Sequence, residues 1–260
     1  MLVDSHCHLN SLPKEKSKDV VEWFNTKGNK LIDSSIDLET SQDSIYLSSQ
    51  HSFIYNSLGF HPFNYYNFSD RLYKKYKKII EENNKIVALG EVGLDYKANL
   101  SLSQQEAIFK KWLILAKETG LTVLIHYRLD NHNWHSSNHL NKPMILTILD
   151  DFFSDYKTIV FHCFSYSHSF LAQIVEKGGF VSFSLNLLRG NKRIINSLQK
   201  CPVNNLLLET DSPYMKIKGK LSTPKNIESV YSYVSKLKGI SRGELEERVF
   251  YNAKRAFRKI

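Results

Sequence analysis

Histidines and carboxylates stand at the ends of short apolar runs throughout this chain. Val3-Asp4-Ser5-His6-Cys7-His8 is the first. Gly59-Phe60-His61-Pro62, Ala88-Leu89-Gly90-Glu91, Val123-Leu124-Ile125-His126, Ile159-Val160-Phe161-His162 and Leu206-Leu207-Leu208-Glu209-Thr210-Asp211 follow. One such ending would mean little. Six of them, each placing a His, Glu or Asp at the carboxyl end of a candidate strand, describe a metal site at the mouth of a parallel barrel. In such barrels the catalytic residues come from the C-terminal ends of several strands. His6 and His8 alternate as i and i+2, so a strand turns both imidazoles to one face. Glu91 lies between Gly90 and Gly93, which allow close backbone approach. Its carboxylate can bridge two cations, which an imidazole cannot do. Together with His126, His162 and Asp211, these residues give three or four N and O ligands per metal if two metals share Glu91. Mixed ligation of this kind suits Zn2+, Mn2+ or Mg2+, and a high share of imidazoles favours transition metals.

The elements that must position these residues are legible as a repeat. Eight candidate strands lie at 2–5, 31–36, 53–59, 86–91, 121–126, 158–163, 180–185 and 206–210. Several are unbroken apolar runs, as expected of strands buried on both faces. They start about 29 residues apart on average, close to the ~30 residues of a βα unit. Helical patterns fall between them at 15–27, 40–50, 69–83, 103–119, 143–153, 168–177, 191–199, 225–238 and 241–257. The helix at 103–119 opens on Ser103 with Glu106 three residues on, a capping box, and stops at Gly120. Ile108, Trp112, Leu115 and Ala116 give it an apolar stripe. The last helix opens on Ser241 with Glu244 and reads as the element that closes the barrel. The expected fold is α/β, a (β/α)8 TIM barrel of the metal-dependent hydrolase type, in one domain over 1–260. Residues 129–142 are polar and turn-prone, and read as a long loop on the active-site face.

Composition is ordinary for a soluble globular protein, with 42% hydrophobic and 23% charged residues among 260. The net charge of +9 points to a polyanionic partner such as nucleic acid, or to a phosphate-bearing substrate. A bias toward solvated lysines would give the same charge. Cys7, Cys163 and Cys201 have no paired spacing, which argues against a disulfide framework and for a reducing cytoplasm. No signal peptide is visible, and no apolar run approaches the ~18 residues of a membrane span. A monomer is expected.

Two weaker patterns complete the inventory. His132, His135 and His139 could recruit a metal, but no cysteine or carboxylate pair completes the set, and a polar loop is the simpler reading. Asn64-Tyr65-Tyr66-Asn67-Phe68 follows His61 on the catalytic face, which makes Tyr65 and its neighbours candidates for substrate contact by stacking. The lysine-rich stretch after it reads better as a solvated helix face. Arg189, after the seventh strand, is a candidate phosphate contact.

The chain resembles the TatD family of metal-dependent nucleases, within the amidohydrolase-like barrels. The resemblance rests on Asp4-Ser5-His6-Cys7-His8-Leu9, Gly59-Phe60-His61-Pro62, Leu89-Gly90-Glu91-Val92-Gly93-Leu94-Asp95-Tyr96, Ile125-His126-Tyr127-Arg128, Phe161-His162-Cys163-Phe164-Ser165, Glu209-Thr210-Asp211-Ser212-Pro213-Tyr214 and Asn252-Ala253-Lys254-Arg255-Ala256-Phe257. It spans essentially the whole length. It implies that His6, His8, Glu91 and Asp211 hold one divalent metal, and Glu91, His126 and His162 a second. It further implies a metal-activated water as nucleophile, with Asp211 taking its proton. His61 and Arg128 would contact substrate, and Asp4, Asp95 and Glu209 would orient the ligands or cap helices. The implied reaction is phosphodiester hydrolysis of DNA, as a 3′ exonuclease on single-stranded ends.

The departures from the family concern substrate contacts more than metal binding. Phe63 stands where the family usually has a second His. The helix after His126-Tyr127-Arg128 is delayed by the polar stretch. Lys216 to Pro224 replaces the usual Pro and Arg-Asn elements. The same metal pair could serve a nucleotide phosphoesterase, an aminoacyl-tRNA deacylase or a cyclic amide hydrolase. Cyclic-amide members often carry a carboxylated Lys where Glu91 stands, which argues for phosphate chemistry. A non-catalytic nucleic-acid binder predicts missing ligands, and none is missing.

Overall fold

The computed structural model describes residues 1–129, 135, 136 and 139–260, with backbone alone at 135, 136 and 139–141. Eight parallel strands form the order β1-β2-β3-β4-β5-β8-β9-β10. They are β1 Val3–Cys7, β2 Lys30–Ser34, β3 Ile54–Leu58, β4 Ile86–Asp95, β5 Thr122–Arg128, β8 Ile159–Phe161, β9 Phe180–Phe183 and β10 Leu206–Leu208. Between them run α1 Lys14–Lys27, α2 Leu38–Gln50, α3 Asp70–Glu82, α4 Leu102–Thr119, α5 Met144–Asp150, α6 His168–Glu176 and α7 Lys192–Lys200. Helices α8 Ile227–Lys238 and α9 Arg242–Ala256 follow the last strand. This is the (β/α)8 TIM barrel expected from the repeat.

Side-chain alternation explains why this barrel has a dry floor and a polar mouth. Val3, Ile32, Leu124, Val160 and Leu207 form one buried cluster with Val87, Ala88 and Phe180, and Tyr55 packs against it. All eight strands therefore contribute to the axis. Two residues on from this layer the same face carries Ser34, His126, His162 and Glu209. The period of two turns each apolar run into a polar end pointing the same way. The outward residues, such as Val123, Ile125, Leu206 and Leu208, pack in the larger cluster beneath the helices.

The last helix plugs the floor. Ala253, Ala256 and Phe257 belong to the axial cluster. Asn252 is buried and donates from Nδ2 to the carbonyls of Val203 (2.6 Å) and Leu206 (2.8 Å). Asn252→Ala strands both carbonyls, so a loss of about 2–3 kcal/mol is expected in urea unfolding. The seam between β1 and β10 is closed by side chains and loops. Thr210 donates from its amide and its hydroxyl to Asp4 (2.9 and 2.6 Å), and Asp211 N–H to the carbonyl of His6 (3.0 Å).

Two local expectations are corrected. The N-cap of α4 is Ser101, with Gln104 completing the box in place of Ser103 and Glu106. Ser241 does cap α9 by accepting from Glu244 N–H. The stretch expected as loop 129–142 contains an antiparallel ribbon, β6 His135–Ser136 with β7 His139–Pro143. Its polar composition hid the pairing. The reading of His132, His135 and His139 as a polar loop concerns a residue and side chains outside those described.

Candidate metal centre

Each ligand candidate reaches the mouth by a local device. His126 ends its inward face by simple alternation, and His162 does so one residue past β8. The β1–β2 ladder shifts register between Asp4 and Cys7, and the β4–β5 ladder between Leu89 and Val92. Those two irregularities bracket His6 and Glu91. Bulges of this kind re-aim side chains beside active sites. His8 lies one residue past the end of β1, at the head of a 3-10 turn over Leu9–Ser11. Asp211 adopts φ 52°, and Cys163, beside His162, φ 44°. A left-handed backbone is uncommon outside glycine, and here it sits on one ligand and next to another.

The donor atoms converge. His6 Nε2 is 3.0 Å from His8 Nε2, 3.6 Å from Glu91 Oε2 and 3.7 Å from Asp211 Oδ1. His8 Nε2 is 3.6 Å from both of those oxygens. Tetrahedral ligands bonded at ~2.0–2.1 Å would stand ~3.3–3.4 Å apart, close to the spacing of His6, His8 and Glu91, and Asp211 stands at the same reach from both imidazoles. The other oxygen of the same carboxylate faces a second group. Glu91 Oε1 lies 2.5 Å from His126 Nδ1, 2.8 Å from His162 Nε2 and 3.4 Å from His61 Nε2.

The far side of each ring shows what the near side must be. His8 donates from Nδ1 to the carbonyl of Ser34 (2.9 Å), so its Nε2 carries a lone pair. His126 donates from Nε2 to Asp95 Oδ2 (2.8 Å), so its Nδ1 carries a lone pair aimed at Glu91. Lone pairs facing carboxylate oxygens across so short a gap require a cation or a shared proton between them. The donor set therefore fits divalent metal. His6 Nδ1 is held by Ser34 Oγ at 3.0 Å. His162 Nδ1 stands 3.5 Å from Glu209 Oε1 and has no hydrogen-bond partner among the described residues.

Burial alone would lower every imidazole here, but Asp211 and Glu91 raise His8, Glu91 and Asp95 raise His126, and Glu91 and Glu209 raise His162. Burial pushes Glu91 up, but His162, His61 and His126 pull it well below the ordinary carboxylate range. Burial, reinforced by the imidazoles of His162 and His8, holds His6 well below its ordinary value, so it stays neutral and able to ligate. Burial also raises Asp95, yet its bond from His126 leaves it depressed, a good acceptor for the ring that it orients.

The remaining sequence candidates separate into those at the cavity and those away from it. A cavity of about 460 Å3 opens over the centre, and His61, Glu91, His126, Arg128, His162 and Asp211 all line it. Asp95 receives His126 and lies 3.3 Å from Arg128 Nη1. Glu209 accepts the Cys163 N–H at 2.7 Å, and Asp4 clamps the residue before Asp211. Tyr65 is corrected: it is 1% exposed, and its hydroxyl accepts the Gly93 N–H at 3.1 Å, so it bolts β4 in place and offers no stacking face. Arg189 is corrected too. It is exposed, bonds the Lys216 carbonyl at 3.5 Å and does not line the cavity, whereas Asn186 of the same turn does.

Ser34 was missed. It holds both His6 and His8, one with its hydroxyl and one with its carbonyl. The available signal was its place at the end of an apolar run, where the other strands carry ligands. Ser34→Ala removes only the hydroxyl, and about a tenfold loss of metal affinity with an unchanged fold is expected by metal titration.

The comparisons with known proteins agree with this chemistry. The model of the family described as TatD related DNase matches residues 3–258. An uncharacterized metal-dependent hydrolase of Methanocaldococcus jannaschii is 28% identical over 99% of this chain and 97% of its own. The 3'-5' ssDNA/RNA exonuclease TatD of Erwinia tasmaniensis is 26% identical over 84% of this chain and 83% of its own. Among solved structures, the TatD homolog YJJV of Escherichia coli superposes with a TM-score of 0.86 at 24% identity, over 99% and 98% of the two chains. Atrazine chlorohydrolase TrzN of Arthrobacter aurescens does so at 0.60 and 11%, over 99% of this chain and 70% of its own. Those two likenesses concern the barrel. Taken with the family match over nearly every residue and a donor set built for divalent cations, they make this chain a member of the TatD-related DNase family and a metal-dependent hydrolase.

Proposed function

We propose that the chain removes nucleotides from the 3′ ends of single-stranded DNA, using two divalent cations that share Glu91. The observation that carries this reading is the division of one carboxylate between two imidazole pairs, Oε2 toward His6 and His8, Oε1 toward His126 and His162. Four imidazoles favour Mn2+ or Zn2+ over Mg2+. The exonuclease named in Erwinia tasmaniensis supports the polarity and the substrate. Three unpaired cysteines suit a reducing cytoplasm.

When bound, such cations neutralise phosphate charge and bring the pKa of water toward neutrality. The chain's own residues supply the rest. Asp211, on the cavity wall, takes the proton of the attacking water at its carboxylate. His61 accepts the Phe63 N–H at Nδ1 (3.1 Å), so its own proton sits on Nε2 and is donated to a phosphate oxygen. Arg128, steadied by Asp95, makes the second phosphate contact. The bond broken is P–O3′, which leaves a new 3′ hydroxyl and releases a 5′ mononucleotide.

The test is digestion of a 5′-labelled single-stranded oligonucleotide with Mn2+, Mg2+, Zn2+ or EDTA. A ladder that shortens one nucleotide at a time and vanishes in EDTA is expected. No shortening by folded, metal-loaded protein would overturn the substrate, and immediate release of the 5′ label as mononucleotide, with a ladder seen only from a 3′-labelled strand, would overturn the polarity.

A further inference from the structure

The mouth of the cavity is divided into two unlike arcs. The segments after β10, β2 and β3 place Tyr214, Met215, Ile36 and Phe63 on its wall. The segments after β5, β8 and β9 place Arg128, Ser165 and Asn186 there. In the strand order the first group is contiguous through β1, and the second lies across the barrel from it. The first side also carries Asn64 and the second Tyr127 and Cys163, so what distinguishes them is the pair of exposed rings, Phe63 and Tyr214, on the first and the cation Arg128 on the second.

The aromatic side is open. Tyr214 is 53% exposed and Phe63 41%. Both rings line the cavity over the polar centre, where a bound molecule would meet them. Each is held by one face of the metal centre: Phe63 packs T-shaped on His61 at 4.9 Å, and Tyr214 on His8 at 4.7 Å. They are thus positioned rings with few torsions to fix, which makes them good stacking partners.

We infer that Phe63 and Tyr214 form a platform for the unpaired base of the terminal nucleotide, while its phosphate turns toward His61 and Arg128. This deepens the proposed function and rests on it. A nucleotide is itself divided into a flat π surface and a charged diester, and the two arcs match that division. Every base has a π face, so the platform tolerates any sequence, but it requires a base that has left its own stack and pair. Single-strand preference and base dependence then have one cause, at two residues outside the metal ligands.

The experiment compares two single-stranded oligonucleotides, one with an ordinary 3′ nucleotide and one ending in an abasic tetrahydrofuran residue. The readout is the ratio of first-step kcat/KM for the two. The wild type should favour the base-bearing end by roughly 5- to 100-fold, the range for one stacked base. In Phe63→Ala and Tyr214→Ala the ratio should fall toward one, and in Phe63→Tyr and Tyr214→Phe it should be kept. A ratio is insensitive to a fraction of misfolded protein, so partial damage in a variant does not mimic the result. A wild-type ratio near one overturns the platform, as does a high ratio that survives both alanine variants. Hydrolysis of neither end by metal-loaded wild type overturns the exonuclease reading itself and the platform with it, and so is distinguishable from the other two results.

Discussion

Glu91→Gln is expected to keep the barrel and lose hydrolysis by at least about 10^3-fold in kcat/KM, with most of the bound metal gone. The substitution keeps volume and removes the charge. Glu91 faces both imidazole pairs, with separations of 2.5 to 3.6 Å to four ligand-candidate histidines. Its depressed pKa shows that the surrounding imidazoles already favour an anion there. An amide leaves those histidines around a neutral group and gives a cation one fewer charge to bind. Loss of a Lewis-acid site removes several kcal/mol of transition-state stabilisation, and each 1.4 kcal/mol is about tenfold. Metal content by elemental analysis and rate on a single-stranded oligonucleotide should fall together, while the circular dichroism spectrum stays. A Gln variant within tenfold of wild type would refute the shared-carboxylate reading.

Gly93→Ala attacks the same centre through the backbone. A Cβ there would stand 1.9 Å from the His126 carbonyl oxygen and 2.9 Å from its carbon, on a residue with φ 148°. Gly93 pairs with His126 in the β4–β5 ladder, and its N–H is taken by the buried Tyr65 hydroxyl. Neither strand can move aside without disturbing a ligand. A cost above about 3 kcal/mol is expected, since the strain sits in a close-packed strand pair. For a chain of this size that is a drop of at least about 6–12 °C in Tm. Gly28→Ala is the control. Gly28 also has a positive φ, 64°, but nothing lies within 4 Å of its Cβ position. Strain alone should cost it about 1–2 kcal/mol. Equal losses at the two sites in calorimetry would show that the crowding at His126 is not felt.

Much of this centre was legible because a parallel barrel writes its active site into the sequence in a regular way. Strands buried on both faces read as apolar runs, and their inward register ends in the ligand, as Leu124 to His126 and Val160 to His162 show. What the runs did not show was anything that breaks the register. β4 continues to Asp95, four residues beyond its expected end, because the irregularity at Gly90 and Glu91 lets pairing resume with β5. Tyr65 looked available because it sits in a polar aromatic stretch. That stretch is a 3-10 turn, Pro62–Asn67, in which adjacent side chains point apart, so Tyr65 is buried while Tyr66 is exposed. Ser34 was passed over because, though it ends an apolar run as the ligand candidates do, a hydroxyl there also reads as a turn residue. The N-cap of α4 moved by two residues because Ser101 with Gln104 and Ser103 with Glu106 are competing boxes of equal quality.

The seam between β1 and β10 has a consequence for how the protein is made. The first ligand is residue 6 and the last is residue 211, and they meet only where Asp4 and Thr210 join the two edges of the sheet. At ~5–20 residues per second, about 10–40 s of synthesis separates their appearance. A chain that stops short of residue 211 lacks one of the ligand candidates. The donor set is therefore assembled only after β10 has been made, whatever the order in which the earlier strands fold.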